Sequence, residues 1–256
     1  MAKGHASTAM GAENEASGEF SVALGEENTA SNTGAVALGD KCVASGHDAF
    51  AGGEESISSG NVSFAFGENC SAIGNHSIAM GNECEANTDA IAIGFLNSSD
   101  GNSSVTIGFA NTASGEPSYA IGKANTASGS GSMAIGCFAS ATGTNSTVLG
   151  SGISITENLV NSIDQSLEIG FNSDFPTMLV TGGDGTAGSY GRVGIGTLTP
   201  ASRLHIYNEL AATQATQTIE SVSTGAFTNQ GLFVNASGGS GWNVCMEGTA
   251  SGTLGV

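Results

Sequence analysis

The sequence predicts an all-β parallel solenoid over residues 8–150, and three observations predict it. A glycine recurs at 11, 25, 39, 53, 67, 81, 94, 108, 122, 136 and 150; nine of the ten intervals are 14 residues, and the one ending at Gly94 is 13. Each glycine closes a run of apolar, small and apolar residues, as in Val36-Ala37-Leu38-Gly39 and Ile91-Ala92-Ile93-Gly94. A second mark follows seven residues later, usually within Ala-Ser-Gly, at Gly18, Gly46, Gly60, Gly74, Gly101, Gly115, Gly129 and Gly143, with Asn32 and Thr88 as exceptions. A strict short period fixes the fold class before any local propensity is weighed.

Alternation within each half of the unit argues strand, and a glycine after each short strand argues a tight turn in which φ can be positive. Two short strands and two turns use up 14 residues. Each repeat is therefore one coil of a narrow solenoid, and ten coils span roughly 48 Å at about 4.8 Å per coil. Each coil touches only its neighbours.

The columns of the repeat orient the coil. Two residues before the glycine stands alanine (Ala9, Ala23, Ala37, Ala51, Ala65, Ala79, Ala92, Ala120, Ala134), and five after it alanine again (Ala16, Ala30, Ala44, Ala72, Ala86, Ala113, Ala127, Ala141). Such columns face each other only across a thin interior. One and three residues before the glycine the side chains are large and apolar. Adjacent strand residues point to opposite faces, so the first strand is apolar on both. The ladder Leu24, Leu38, Phe66, Met80, Ile93, Ile107, Ile121 and Ile135 then has nothing in its own chain to cover it, and an exposed apolar stripe of that size marks an interface. The expectation is that the stripes of several chains meet along one axis. The alternative places the large residues inside and the alanines outside.

The two half-motifs, Ser-Val/Ile-Ala-Ile/Leu-Gly and Ser/Asn-x-Ala-x-Gly, resemble over residues 7–150 the head repeat of trimeric autotransporter adhesins. The resemblance implies a left-handed parallel β-roll and three rolls side by side, a homotrimer. Similar rolls occur in phage tail fibres. Gly52 in the large column, Thr106 in an alanine column and the 13-residue coil depart from the pattern and suggest local kinks.

Composition narrows the function. The chain has 256 residues, 40 of them Gly, with five Lys and Arg against 23 Asp and Glu and a net charge of −18. That balance argues against nucleic acid and against docking on anionic lipid. Proline, at three residues, is scarce, as a ladder-rich chain requires. Residues 1–20 hold no signal-like apolar run, and no 18-residue apolar span occurs, so no membrane insertion is expected. With Met1 as the true start, export would go by lysis or a non-standard route; in a fragment, a signal could have been removed.

Glu13, Glu26, Glu27, Asp40, Glu54, Glu55, Glu68 and Glu83 fall one or two residues after a repeat glycine and stack on one edge. This edge is read as solvated and as keeping the fibre soluble, with divalent-cation binding as the alternative, although no calcium-loop spacing is present. Beyond Gly94 the edge becomes Phe95-Leu96, Phe109 and Cys137-Phe138, a change that fits either a contact or loop variation. Cys42, Cys70 and Cys84 share a column with Asn, Ser and Ala and are read as small-residue filling, because parallel side chains seldom meet disulfide torsions. His5, His47, His76 and His205 share no column, and neither zinc spacing, nucleophile elbow nor dinucleotide fingerprint occurs. No cofactor, metal site or catalytic residue is expected.

After Gly150 the period stops. Residues 151–207 read as a compact β junction with strands at Ser166–Gly170, at Thr177–Val180 and, after a Gly-rich turn, at Arg192–Gly196. The run from Val193 to Ile206, VGIGTLTPASRLHI, resembles a junction in phage tail fibres that precedes stem repeats and a C-terminal chaperone autoprotease. That protease would need a Ser/Lys dyad, and no Lys follows Lys123, so the chaperone is expected to be cleaved off or to lie beyond the chain. Residues 208–256 read as the start of a stem: Glu209–Ala215 fits a short helix or a strand, and Ala236-Ser237-Gly238 and Ala250-Ser251-Gly252 open a second 14-residue repeat. The expectations for function are, in order, a structural and adhesive tail fibre of a phage or virion reaching a host cell-surface receptor, a bacterial surface adhesin, and a fibre-borne glycan depolymerase. The last would need paired carboxylates in a groove. A virion or extracellular surface location goes with the first two.

Overall fold

The computed structural model describes residues 1–183 and 189–207, which form strands and turns with no helix among them. The readings of a stem element at Glu209–Ala215 and of a second repeat at 236–252 lie outside the described residues. Each 14-residue unit is one coil with a long and a short strand. Thr8–Ala12, Val22–Glu26 and Val36–Asp40 are the first three long strands, and Glu15–Ala16, Thr29–Ala30 and Val43–Ala44 the first three short ones. The long strands stack into a 15-stranded sheet and the short strands into an 11-stranded sheet. Within the repeat, pairing is parallel and column on column: Ala9 opposite Ala23, Gly11 opposite Gly25, Leu24 opposite Leu38.

The alanines are inside and the large residues outside. Ala23, Ala37, Ala65, Ala79 and Ala92 from the long strands and Ala16, Ala30, Ala44, Ala72 and Ala86 from the short ones are wholly buried. Small side chains, mostly methyl groups, thus fill the space between the two sheets. The alternative with large residues inside is thereby excluded.

The two glycine columns serve different needs. The first, Gly11 through Gly150, has φ between +102° and +137°, a region closed to L side chains. The second does not, contrary to the expectation of a positive φ after both strands. Gly115 is glycine because a Cβ there would stand 2.0 Å from the carbonyl oxygen of Gly129 in the next coil. Most left-handed residues of the turns are not glycines: Glu27 has φ 53° and Phe20 φ 59°, while Gly34 and Gly131 are glycines at the position of Phe20.

The expected kinks are absent. Gly52 keeps its register between Leu38 and Phe66, and the rings of Phe50 and Phe66 close over the missing side chain. Thr106 is buried without a break in pairing because its hydroxyl meets Ser99 Oγ at 2.8 Å across the interior. The 13-residue coil also stays in register, with Ile78 opposite Ile91. Its lost residue comes out of the second turn, where Asn87-Thr88-Asp89 leads straight to Ala90.

The long-strand sheet runs on past Gly150. Ser166–Gly170 pairs parallel with Thr147–Ser151, Gly150 opposite Gly170, and Leu159–Asn161 pairs with Ala139–Ala141, which completes a coil of 20 residues. Met178–Thr181 and Arg192–Ile195 then add antiparallel strands, and Leu204–Ile206 adds a parallel one. Here the interior changes character: Val148, Leu159, Leu179 and the carboxyl-bearing Glu168 fill it.

Candidate assembly interface

The outer face of the long-strand sheet carries the large apolar residues. Residues one and three before the glycine lie on the same face because side chains alternate along a strand. Leu24, Leu38, Phe66, Met80, Ile93, Ile107, Ile121 and Ile135 stand there in one column, broken only by Gly52 and joined rung to rung by the pairing. Beside it runs a parallel column with Val22, Phe50, Phe64, Ile91 and Tyr119. Met10, Phe66 and Ile107 are 65%, 48% and 40% exposed, and the others are half-buried by one another. Phe50 and Phe64 stack at 4.8 Å and Phe64 and Phe66 at 6.3 Å, so the aromatic rungs are ordered side by side. The outward residues of the short strands are smaller and more polar: Thr29, Ser71, Glu85, Thr112 and Thr126, with Val43, Ile57 and Val160 the apolar exceptions. One broad face is thus apolar over its whole length and the other is not.

The edge between them is built by the first turn. Glu26, Asp40, Glu54 and Glu68 are successive partners in the long-strand ladder, followed by Asn82, Phe95, Phe109, Lys123 and Cys137. Side chains a strand spacing apart with like charge repel unless they are solvated. The local relief is slight: Asn82 donates to Glu68 at 2.6 Å, and Lys41 Nζ is 3.9 Å from Asp40. Farther along, Phe95 and Phe109 stack at 5.1 Å, and Lys123 Nζ lies 5.8 Å from the Phe109 ring and 5.9 Å from that of Phe138. Among the described residues no group of three or more His, Cys, Asp and Glu is placed to hold a metal ion. His47 and His76 are each near one acid, Asp48 at 2.8 Å and Asp89 at 3.0 Å, on the surface. No described helix is long and apolar enough to cross a membrane.

The column that holds the cysteines proves more than small-residue filling. Its asparagines form an internal ladder. Asn28 donates through Nδ2 to the carbonyls of Leu24 and Gly39 at 3.0 and 2.6 Å, and its Oδ1 accepts the backbone N–H of Cys42. Asn97, Asn111 and Asn125 repeat the arrangement. The side chain thus satisfies turn amides and glycine carbonyls that neither sheet reaches, a requirement for any buried backbone group. In the middle coils the same task passes to Cys42, whose thiol donates to Gly53 O at 3.3 Å, and to Ser56, which reaches Gly67 O at 3.1 Å. Cys42, Cys70 and Cys84 are buried and unbridged, and Cys137 lies at the edge. Burial pushes the Cys42 thiol above its ordinary range, and hydrogen bonding to Cys84 together with burial does the same for Cys70. The sequence signal for this ladder, an Asn three residues after the glycine, was visible, but its role was not.

Comparison with known proteins agrees with this architecture. No curated protein matches the chain. The family model of the YadA head domain repeat (2 copies) matches residues 2–27, 16–41, 113–136 and 127–152. The match does not extend to the junction at 193–206. The coils between the matched segments share their strand lengths, register and buried alanines. The coils within the matched segments are accordingly YadA-type head repeats, the repeat of trimeric autotransporter adhesin heads.

Proposed function

We propose that the chain is a subunit of a homotrimeric adhesive fibre, in which the apolar faces of three solenoids pack along a common axis. The observation that carries this is the pair of large apolar columns running the length of one face while the opposite face stays mostly polar. Fully burying an exposed side chain of this size contributes about 1.5–3 kcal/mol; these already cover one another in part, and the remaining exposed share, summed over a ladder of eight or more, drives association. The YadA-type repeat supports the same assembly. The test is the mass in solution with Ile93, Ile107 and Ile121 each replaced by Asp. The wild-type chain should sediment at three times its monomer mass and the triple variant as smaller species. Chains that remain associated and folded would show that the stripe is not the interface.

The fibre's work is attachment rather than turnover, on the surface of a virion or outside the cell. The tail-fibre resemblance of residues 193–206 favours a phage fibre docking on a host-surface receptor. The family match of the coils favours a second reading, a bacterial surface adhesin. The complete gene separates them, through the presence or absence of a signal peptide and a membrane anchor. A turnover assay on capsule and lipopolysaccharide checks the absence of hydrolase activity.

A further inference from the structure

Two arginines meet at the far end of the described chain. Arg192 opens the strand Arg192–Ile195, and Arg203 immediately precedes Leu204–Ile206. The two strands are parallel with Val193 opposite Leu204, and the Val193 N–H donates to Arg203 O at 2.8 Å, which sets the arginines side by side. Together with Thr181, Tyr190, Pro200 and Ser202 they line a cleft of about 570 Å³. The Arg203 guanidinium lies over the Tyr190 ring, 3.6 Å from its centroid. Arg192 spends one donor on the Pro200 carbonyl at 2.9 Å. Among the described residues neither arginine has an acidic partner, while Lys3 and Lys41 each lie beside a carboxylate.

The placement runs against the charge of the molecule. The chain has five Lys and Arg against 23 acids, yet two of the five share one cleft, and between residues 175 and 207 the sequence contains a single acid, Asp184. Like charges on adjacent strands destabilise the pair unless something neutralises them. Two planar guanidinium groups offer paired donors that match a carboxylate or a phosphate. Tyr190 is 62% exposed, so beyond the face that Arg203 covers its ring still offers an apolar surface with a polar tip, suited to a sugar ring. The cleft has the size of small-ligand sites, commonly about 300–1,000 Å³.

We propose that this cleft binds an anionic sugar, with the acid group held by Arg192 and Arg203 and the ring set against Tyr190. The site deepens the adhesive reading by naming a class of receptor group, but its chemistry does not depend on trimer formation. The charge can be a carboxylate, as in a uronic acid, or a phosphate, as in a phosphorylated sugar.

The experiment is ligand-detected NMR on the full chain with glucuronate, glucose 6-phosphate and glucose as probes. At least one of the two anions should bind in the millimolar range and glucose should not. The stronger anion identifies the source of the charge. Arg203→Gln and Arg192→Gln should each weaken binding at least tenfold, while sedimentation and circular dichroism stay as in the wild type. Because the apolar stripe is far away in sequence, Asp variants that stay associated and folded with anion binding retained would overturn only the assembly. Anions that bind no better than glucose, or binding that survives both Gln variants, would overturn the cleft. Should a Gln variant unfold, Arg203→Lys keeps the charge without the fork, and unchanged affinity in it would equally overturn the proposal.

Discussion

The repeat coils and the end of the described chain solve the same packing problem in opposite ways. Within the coils, interior side chains are methyl groups, thiols, hydroxyls and carboxamides, and the backbones of neighbouring coils come so close that a glycine Cβ would collide with the next carbonyl. At the end, Leu159, Leu179 and Val148 fill a wider interior and tolerate a buried carboxyl in the position where other coils have alanine. The coils therefore draw their stability from complete backbone pairing and an internal polar ladder, and the end draws it from ordinary hydrophobic burial. The first is intolerant of added volume. The second is sensitive to removed volume and to charge.

The sharpest way to break the coils is Gly115→Ala. Its Cβ would stand 2.0 Å from Gly129 O, a backbone atom that cannot move without moving the ladder. Overpacking commonly costs 1–3 kcal/mol, and a clash with backbone on this scale should cost about 3 kcal/mol or more. Thermal unfolding followed by circular dichroism should show a large fall in the midpoint or no folded state. Next comes Asn111→Leu, similar in bulk but without polar atoms. It would leave the carbonyls of Ile107 and Gly122 and the Asn125 N–H without their partners. At about 1–3 kcal/mol for each unsatisfied buried group, the loss should be at least about 3 kcal/mol. Hydrogen exchange should quicken first in the coils on either side of Asn111, and unchanged protection there would mean that the asparagines fill space and nothing more.

The smallest effect belongs to the end and depends on pH. Burial pushes the Glu168 carboxyl up to about 7 from 4.5, and its Oε2 has no hydrogen-bond partner. The inward residues packed around it, Val148 on one neighbouring strand, Leu179 on the other and Leu159 and Asn161 on the short strand, include no charged group. A carboxyl that binds its proton more tightly when folded adds stability that is fully present below pH about 4.5 and is lost as pH rises to about 7. The loss is at most about 3 kcal/mol, from the size of the shift. Glu168→Gln should therefore melt like the wild type at pH 4 and higher than it at pH 8. Parallel melting curves at both pH values would place the carboxyl in water and end the contrast between the two interiors.

Much of this was legible in the sequence wherever one column carried one residue type. Ala37 and Ala44 announce a thin interior, and Leu38 an outer stripe, because neither can exchange places without filling or emptying the coil. Asn28 and Asn111 were less legible. An Asn after a turn is common for local reasons, and only the stacked geometry shows its Nδ2 bridging carbonyls of two coils. Gly115 was recognised as a glycine site but for the wrong reason, since closeness to the next coil leaves no mark within one repeat. The coil ending at Gly170 was missed as a coil: Ser166-Leu167-Glu168-Ile169-Gly170 has the frame of the motif, but six more residues separate its glycine from Gly150 than the period allows, and a glutamate replaces the alanine. The shared cleft of Arg192 and Arg203 could not be read at all, because an 11-residue separation becomes adjacency only through the parallel pairing of their strands.

Coils of 13, 14 and 20 residues all keep their long strands in register. The shortest loses its residue at the second corner, and the longest carries its excess where the chain leaves the long strand, around Ile153–Asn158. Corners thus absorb changes in length that strands would refuse. The solenoid can be customised one rung at a time: a peptide grafted at a corner is displayed outside while the scaffold beneath it keeps its pitch, so a stack of coils acquires new surface loops without being rebuilt.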